Sequence, residues 1–161
     1  MSDRAQAGGL ELARRAGIPT HVFNDIADPG EWLRVLTGAE VGLVVLAGFL
    51  KRVPAPVVAA WQGRMINIHP ALLPRHGGAG MYGTRVHQAV LDSGDAVSGA
   101  TVHLVSEEYD RGPVLGQASV PVLAEDTALT LASRVLDLEH RLLPAAVLAA
   151  ARAGRPVPFA L

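Results

Sequence analysis

The chain has 161 residues, 14 Lys+Arg against 15 Asp+Glu for a formal net charge of -1, a hydrophobic fraction of 50% and no cysteine. That length fits one domain, here residues 1–161, and the near-neutral balance argues against a binder of polyanions. Zero Cys removes disulfide scaffolds, thiolate metal sites and Cys nucleophiles, and is compatible with a cytoplasmic location, which is the expectation.

Met1 to Arg4 is polar, without a charged-then-apolar signal pattern, and the longest apolar run, Val41 to Leu50, is too short to span a bilayer. Leu10 to Ala16 carries good helix formers and stops at Gly17. Thr20 to Phe23 is a short β-prone run. Asp28-Pro29 offers an N-cap and a first-turn proline for a helix through Leu36, ended by Gly38. Val41 to Leu46 is continuously apolar, which reads as a strand buried on both faces of a parallel sheet. Pro54 to Trp61 reads as a short helix, and Arg64 to Ile68 as a second buried strand that runs into His69-Pro70. Leu72 to Gly80 is too rich in Gly and Pro to be regular. Thr84 to Asp92 reads as a helix closed by Ser93-Gly94, and Ala100 to Val105 and Val114 to Val122 as strands around Asp110-Arg111-Gly112-Pro113. Thr127 to Ala151 is a long Ala/Leu-rich helix that Pro144 is expected to kink or split. The tail Val157-Pro158-Phe159 takes no assignment. Strands alternating with helices predict an α/β fold with a mainly parallel sheet.

In open α/β sheets, ligands bind beyond the carboxyl ends of the strands. Two such ends turn polar or flexible here, Ala47 to Leu50 and Asn67 to Pro70. Asn67 and His69 are two apart, so an extended backbone points them to the same face. An amide beside an imidazole can donate to a developing oxyanion, and the imidazole can also move a proton. Asn-x-His-Pro alone is a weak signal, because a histidine before proline is more often a plain loop residue. Asp110 can tune a histidine, since a nearby carboxylate stabilises imidazolium. Asp before x-Gly-Pro is equally ordinary turn chemistry. Glu107-Glu108 reads as solvated surface. Gly77 to Gly80 lacks the Lys-Ser/Thr of a P-loop and reads as a flexible loop. His76, His87 and His103 are too scattered for a metal site, and His103 reads as a half-buried strand histidine. Glu139-His140 reads as a helix-surface pair, and Met65 and Met81 as packing residues. No Gly-x-Ser-x-Gly occurs, so there is no nucleophile elbow.

Three segments now combine. Leu46-Ala47-Gly48-Phe49-Leu50, then Ile66-Asn67-Ile68-His69-Pro70-Ala71-Leu72-Leu73-Pro74, then Gly99-Ala100-Thr101-Val102-His103 leading to Tyr109-Asp110-Arg111-Gly112-Pro113, occur in that order. From Ser2 to about Gly154 the chain resembles the glycinamide ribonucleotide formyltransferases, folate-dependent enzymes of purine biosynthesis. Tyr82-Gly83-Thr84-Arg85-Val86-His87 and Ser93-Gly94-Asp95 look more like this branch than the methionyl-tRNA branch, and Leu104 is a small departure that should matter only for packing. The resemblance implies a Rossmann-like formyltransferase fold with helices on both faces of the sheet. It implies formyl transfer from 10-formyltetrahydrofolate to a primary amine, without a metal. In that reading Asn67 holds the formyl oxygen. Protonated His69 stabilises the oxyanion and serves as general acid, while Asp110 raises the pKa of His69 and relays the amine proton. Leu50, Lys51, Arg52 and Val53, with Asn67 and with Glu107, Glu108, Tyr109 and Asp110, would line the folate pocket. Leu136, Asp137 and Leu138 would lie near the substrate, with Glu139 facing its amine, and Leu73-Pro74 would be a cis bond. Small-molecule substrates are implied, with neither nucleic acid nor membrane as partner, and a homodimer is one reading of the assembly.

The family begins with a strand, a Gly/Ser-rich phosphate loop, a helix and a second strand, and the resemblance implies that this chain starts after them. On that expectation the Val41 strand has an open edge, Thr20 to Phe23 has no neighbour within the chain, and the chain alone transfers formyl groups poorly or not at all. Two other readings compete: a 10-formyltetrahydrofolate hydrolase, and a non-catalytic folate-binding remnant. Intact Asn67, His69 and Asp110 weigh against the remnant, and Glu139 weighs modestly against the hydrolase.

Overall fold

The computed structural model describes residues 1–161. Its elements in chain order are α1 (Gly8–Arg15), α2 (Pro29–Gly38), β1 (Val44–Leu46), α3 (Ala55–Ala60), β2 (Met65–His69), α4 (Thr84–Asp92), β3 (Val97–Leu104), β4 (Val114–Pro121) and α5 (Ala128–Ala153). They fall into two compact units, one formed by residues 1–42 and 52–60, the other by residues 43–51 and 61–161. No helix is long and apolar enough to cross a membrane.

The first unit holds α1, α2 and α3. Asp28 caps α2 as its sequence foretells, accepting from the Gly30 and Glu31 N–H groups, with Pro29 at the first helical position. Trp32 and Phe23 pack ring to ring at 4.5 Å, both buried. Thr20 to Phe23 is not a lone strand. Val22 forms a parallel bridge with Ser2, closed by Ser2 N–H to the His21 carbonyl (3.1 Å) and Phe23 N–H to the Ser2 carbonyl (2.9 Å). The unpartnered strand expected there is thereby corrected.

The second unit is built on a four-stranded sheet in the order β1-β2-β3-β4. Only β1 and β2 pair in parallel, whereas β2–β3 and β3–β4 are antiparallel. The sheet is therefore mixed, not mainly parallel. The connection Val105 to Pro113 turns β3 back into β4 without a crossover helix, which makes that pair antiparallel, and β3 itself returns against β2 after α4. β1 is a terminal strand of this sheet, as expected, but it is shorter than its apolar run and is not buried on both faces. Val45 points outward at 37% exposure while Val44 and Leu46 are buried.

The core of this unit gathers Ile66, Ile68, Ala100, Val102 and Leu115 from the strands against Val90 of α4 and Leu131, Val135, Leu138, Leu142 and Ala146 of α5. Each fully buried aliphatic side chain is worth roughly 1.5–3 kcal/mol. Pro144 does not split α5, which runs unbroken from Ala128 to Ala153. Leu142 and Ala146 stay buried on either side of it, so the packed face offsets the hydrogen bond that proline removes. Thr127 and Thr130 form a capping box at its start, and left-handed Gly154 (φ 69°) closes it. The tail finds a place too. Phe159 N–H donates to the Leu115 carbonyl at 2.9 Å, and its ring lies where Gly116 has no side chain.

Candidate active site

β2 and β3 run antiparallel with Asn67 opposite His103 and His69 opposite Thr101. That register builds the site. Asn67 Nδ2 lies 3.1 Å from His103 Nε2, and His103 Nδ1 lies 2.9 Å from the Leu104 carbonyl. The carbonyl can only accept, so His103 donates from Nδ1, and in the neutral ring Nε2 carries a lone pair toward the Asn67 amide. Asn67 then donates one N–H to it, which leaves the other amide N–H for a ligand. His103 is 2% exposed, so it is neither half-buried nor incidental. It is the residue that sequence reasoning missed. The signal that finds it is its position opposite Asn67, a pairing that no local motif encodes.

Asp110 reaches this pair from the turn after β3. Its Oδ1 lies 3.5 Å from His103 Nε2 and its Oδ2 lies 3.5 Å from His69 Nδ1. The Gly78 N–H donates to the same Oδ2 at 2.9 Å. The other nitrogen of His69, Nε2, lies 2.8 Å from the His76 carbonyl, to which it donates. His76 and Asp110 both sit at positive φ, 53° and 55°, a region that costs most non-glycine residues about 1–2 kcal/mol. Gly77 between His76 and Gly78 approaches the Asp110 Cβ so closely that an added Cβ would stand 3.1 Å from it. The Gly77 to Gly80 segment is thus tied to the site through Asp110, which the reading as a plain flexible loop did not foresee.

Burial pushes the Asp110 carboxyl up, but the His103 side chain, the Gly78 N–H and the charge of His69 outweigh it, so Asp110 titrates below the usual carboxylate range. For His69, burial is the largest influence and acts downward. Asp110 and the His76 carbonyl raise its pKa without restoring it, and the nearby His103 and His76 lower it further. Asp110 thus acts on His69 in the expected upward direction, while burial, the larger influence, holds the His69 pKa below the ordinary histidine value. Once protonated, such a group gives up its proton readily.

Thr101 and Gln117 support the loop after His69. The Thr101 hydroxyl donates to the Ala71 carbonyl (2.6 Å) and accepts from Leu73 N–H (3.0 Å), and Gln117 donates to the Leu73 carbonyl (2.9 Å). The Leu73-Pro74 bond is cis, as expected. Other sequence candidates lie outside the cluster. Glu107, Glu108 and Tyr109, next to Asp110 in the chain, are exposed; Leu50, Lys51 and Arg52 are exposed as well, whereas Val53 is buried. Leu136 and Asp137 are exposed on α5, but Leu138 is a core residue, because four consecutive helical positions cannot share one face. Glu139 is half-buried, and burial raises its carboxyl, with His140 pulling the other way. No hydrogen bond or ion pair joins Glu139 to Asn67, His69 or Asp110.

An amide, two imidazoles and a carboxylate converge where strands of the sheet end, which gathers hydrogen-bond donors and proton-carrying groups in one place. The formyl transferase family model matches residues 1–147, and the chain belongs to that family. The chain is 48% identical over 149 residues to the chloroplastic phosphoribosylglycinamide formyltransferase of Arabidopsis thaliana, spanning 88% of this chain and 51% of that one. Against the Escherichia coli phosphoribosylglycinamide formyltransferase the identity is 38%, over 89% of this chain and 68% of the relative. The crystal structure of the Anaplasma phagocytophilum phosphoribosylglycinamide formyltransferase superposes with a TM-score of 0.80 at 41% identity, covering 88% of this chain and 66% of that one. A Pseudomonas syringae formyltetrahydrofolate deformylase also superposes, with a TM-score of 0.72 at 28% identity, covering 84% of this chain and 47% of that one. The chain spans about half the length of the chloroplastic relatives it matches.

Proposed function

We propose that this protein transfers a formyl group from 10-formyltetrahydrofolate to the primary amine of glycinamide ribonucleotide; relatives named phosphoribosylglycinamide formyltransferases support the acceptor. The observation that carries the reading is the convergence of Asn67, His69 and Asp110. The free N–H of Asn67 donates to the formyl oxygen. His69 presents an N–H to the same oxygen by exchanging the His76 carbonyl for it. The amine nitrogen then bonds to the formyl carbon, and the carbonyl π electrons move to an oxygen held by two donors. Asp110 takes a proton, through water, from the now cationic nitrogen of the tetrahedral adduct, and as the oxyanion re-forms the carbonyl and the bond from carbon to the folate nitrogen breaks, the proton passes by way of His69 to that departing nitrogen. Removing one such oxyanion donor typically costs about 10²–10³ in rate.

Leu50 and Lys51, with Glu107, Glu108 and Tyr109 beside Asp110, are proposed to border the folate. The exposed Leu136 and Asp137 and the half-buried Glu139 are proposed to lie toward the amine substrate, with Leu138 contributing backbone only. The partners are small molecules, and the proposed location is cytoplasmic, although the chloroplastic relatives work in a plastid by name. A homodimer is the assembly to test by sedimentation.

The second reading, hydrolysis of the formyl donor, is favoured by the likeness to the Pseudomonas syringae deformylase. One assay separates the two. The protein is incubated with 10-formyltetrahydrofolate with and without glycinamide ribonucleotide, and formylated amine and formate are quantified. Transfer predicts product only when the amine is present. Formate release independent of the amine would establish the hydrolase instead.

A further inference from the structure

We propose that Asp95 is a positioning residue for His69: by holding Arg75 and His76 it fixes the His76 backbone carbonyl on the His69 ring. The proposal rests on the formyl-transfer reading, in which His69 donates to the oxyanion, and it gives a task to the Ser93-Gly94-Asp95 motif.

The chain of contacts is short. Asp95 lies in the turn between α4 and β3, where its own N–H reaches the Val90 carbonyl (3.4 Å). Its Oδ1 meets Arg75 Nη2 at 2.6 Å and its Oδ2 meets His76 Nε2 at 2.7 Å, so both carboxylate oxygens are engaged by adjacent residues of the loop. His76 in turn places its carbonyl 2.8 Å from His69 Nε2. His76 holds a left-handed backbone at φ 53°, a conformation a β-carbon disfavours, and that twist aims the carbonyl back at β2. Something must sustain it. A cavity of about 220 Å³, lined in part by Leu72, Val90 and Val97, opens beside Arg75, His76 and Asp95. With space on that flank, the two contacts to Asp95 hold the Arg75 and His76 side chains, alongside the backbone bonds of Arg75 to the Leu72 carbonyl and of Gly78 to Asp110.

The His76 carbonyl therefore occupies the donor nitrogen that the substrate oxygen would take. It keeps the Nε2–H tautomer in place and the ring turned toward the site before any ligand arrives. Asp95 touches no substrate in this scheme and acts only through His76.

The test is ring-nitrogen NMR on the intact chain, resolving each of its six histidines. The native protein should show a His69 Nε2–H proton that is protected from exchange. In Asp95→Asn that proton should exchange with solvent and broaden, while backbone amide shifts of β2 and β3 keep their native pattern. Under the transfer assay kcat should fall about five- to tenfold, the worth of one hydrogen bond, with little change in KM for the folate. If Asp95→Asn does not fold, His76→Asn asks the same question, since Asn tolerates the left-handed backbone but is too short to reach Asp95. A protected His69 ring proton that survives in the folded variant overturns the proposal. The NMR readout needs no turnover, so it stands or falls separately from the formyl-transfer reading.

Discussion

Asn67 and His103 face each other across the β2–β3 pair, and their side chains meet at 3.1 Å. The contact fixes which end of the Asn67 amide points onward, because His103 has already given its Nδ1–H to the Leu104 carbonyl. Replacing His103 by Ala frees that amide to turn. Formyl transfer should fall by about 10²-fold while folate binding changes little, a split read directly from kcat and KM. His103→Asn, which can still accept from Asn67, should recover part of the loss.

His69→Ala and Asp110→Ala should each lower kcat by about 10²–10³ with a much smaller effect on folate affinity. Stopped-assay kinetics on folded variants check this. Near-native turnover in either one would remove that residue from the chemistry.

Stability should rise with pH toward neutrality. Burial lowers the pKa of His69 and of His87, the latter with help from the charge of His69, below the ordinary 6.5. In the window just below 6.5 the unfolded chain binds more protons than the folded one, so unfolding free energy increases with pH there and levels off above it. Urea midpoints between about pH 5 and pH 7 should climb, and the double variant His69→Gln, His87→Gln should flatten the climb. Opposite slopes would mean that both histidines are charged in the native state.

Gly112 sits in the turn that delivers Asp110. A Cβ there would run into the Leu104 carbonyl. Gly112→Ala should destabilise the protein by roughly 1–3 kcal/mol and move Asp110 away from both histidines. Thermal melts and the transfer assay should fail together, whereas Thr127→Ala, which removes only the α5 cap, should cost about 1 kcal/mol and spare kcat.

How much of this was legible depends on how local each signal is. The α2 cap, the α1 stop and the bounds of α4 are short-range chemistry, written in Asp28-Pro29, Gly17 and Ser93-Gly94. Asn67, His69 and Asp110 were legible because strand ends and turns carry recognisable residues. Strand direction was not. An apolar strand such as β2 has the same composition whether its neighbour runs with it or against it, so the mixed sheet followed only from pairing. His103 was hidden for the same reason, since a single histidine in an apolar strand acquires meaning only from what stands opposite. Val45 and Pro144 mislead in another way. Local propensity marks one as core and the other as a break, and tertiary packing decides both.

The seat of Phe159 on β4 has a practical reach. Its N–H covers the Leu115 carbonyl and its ring fills the hollow that Gly116 leaves, so the last residues act as a cork on that margin of the sheet. Replacing Phe159 by Ala would pull the cork. The strand that Gln117 shares with the loop behind His69 would then be the first to feel it.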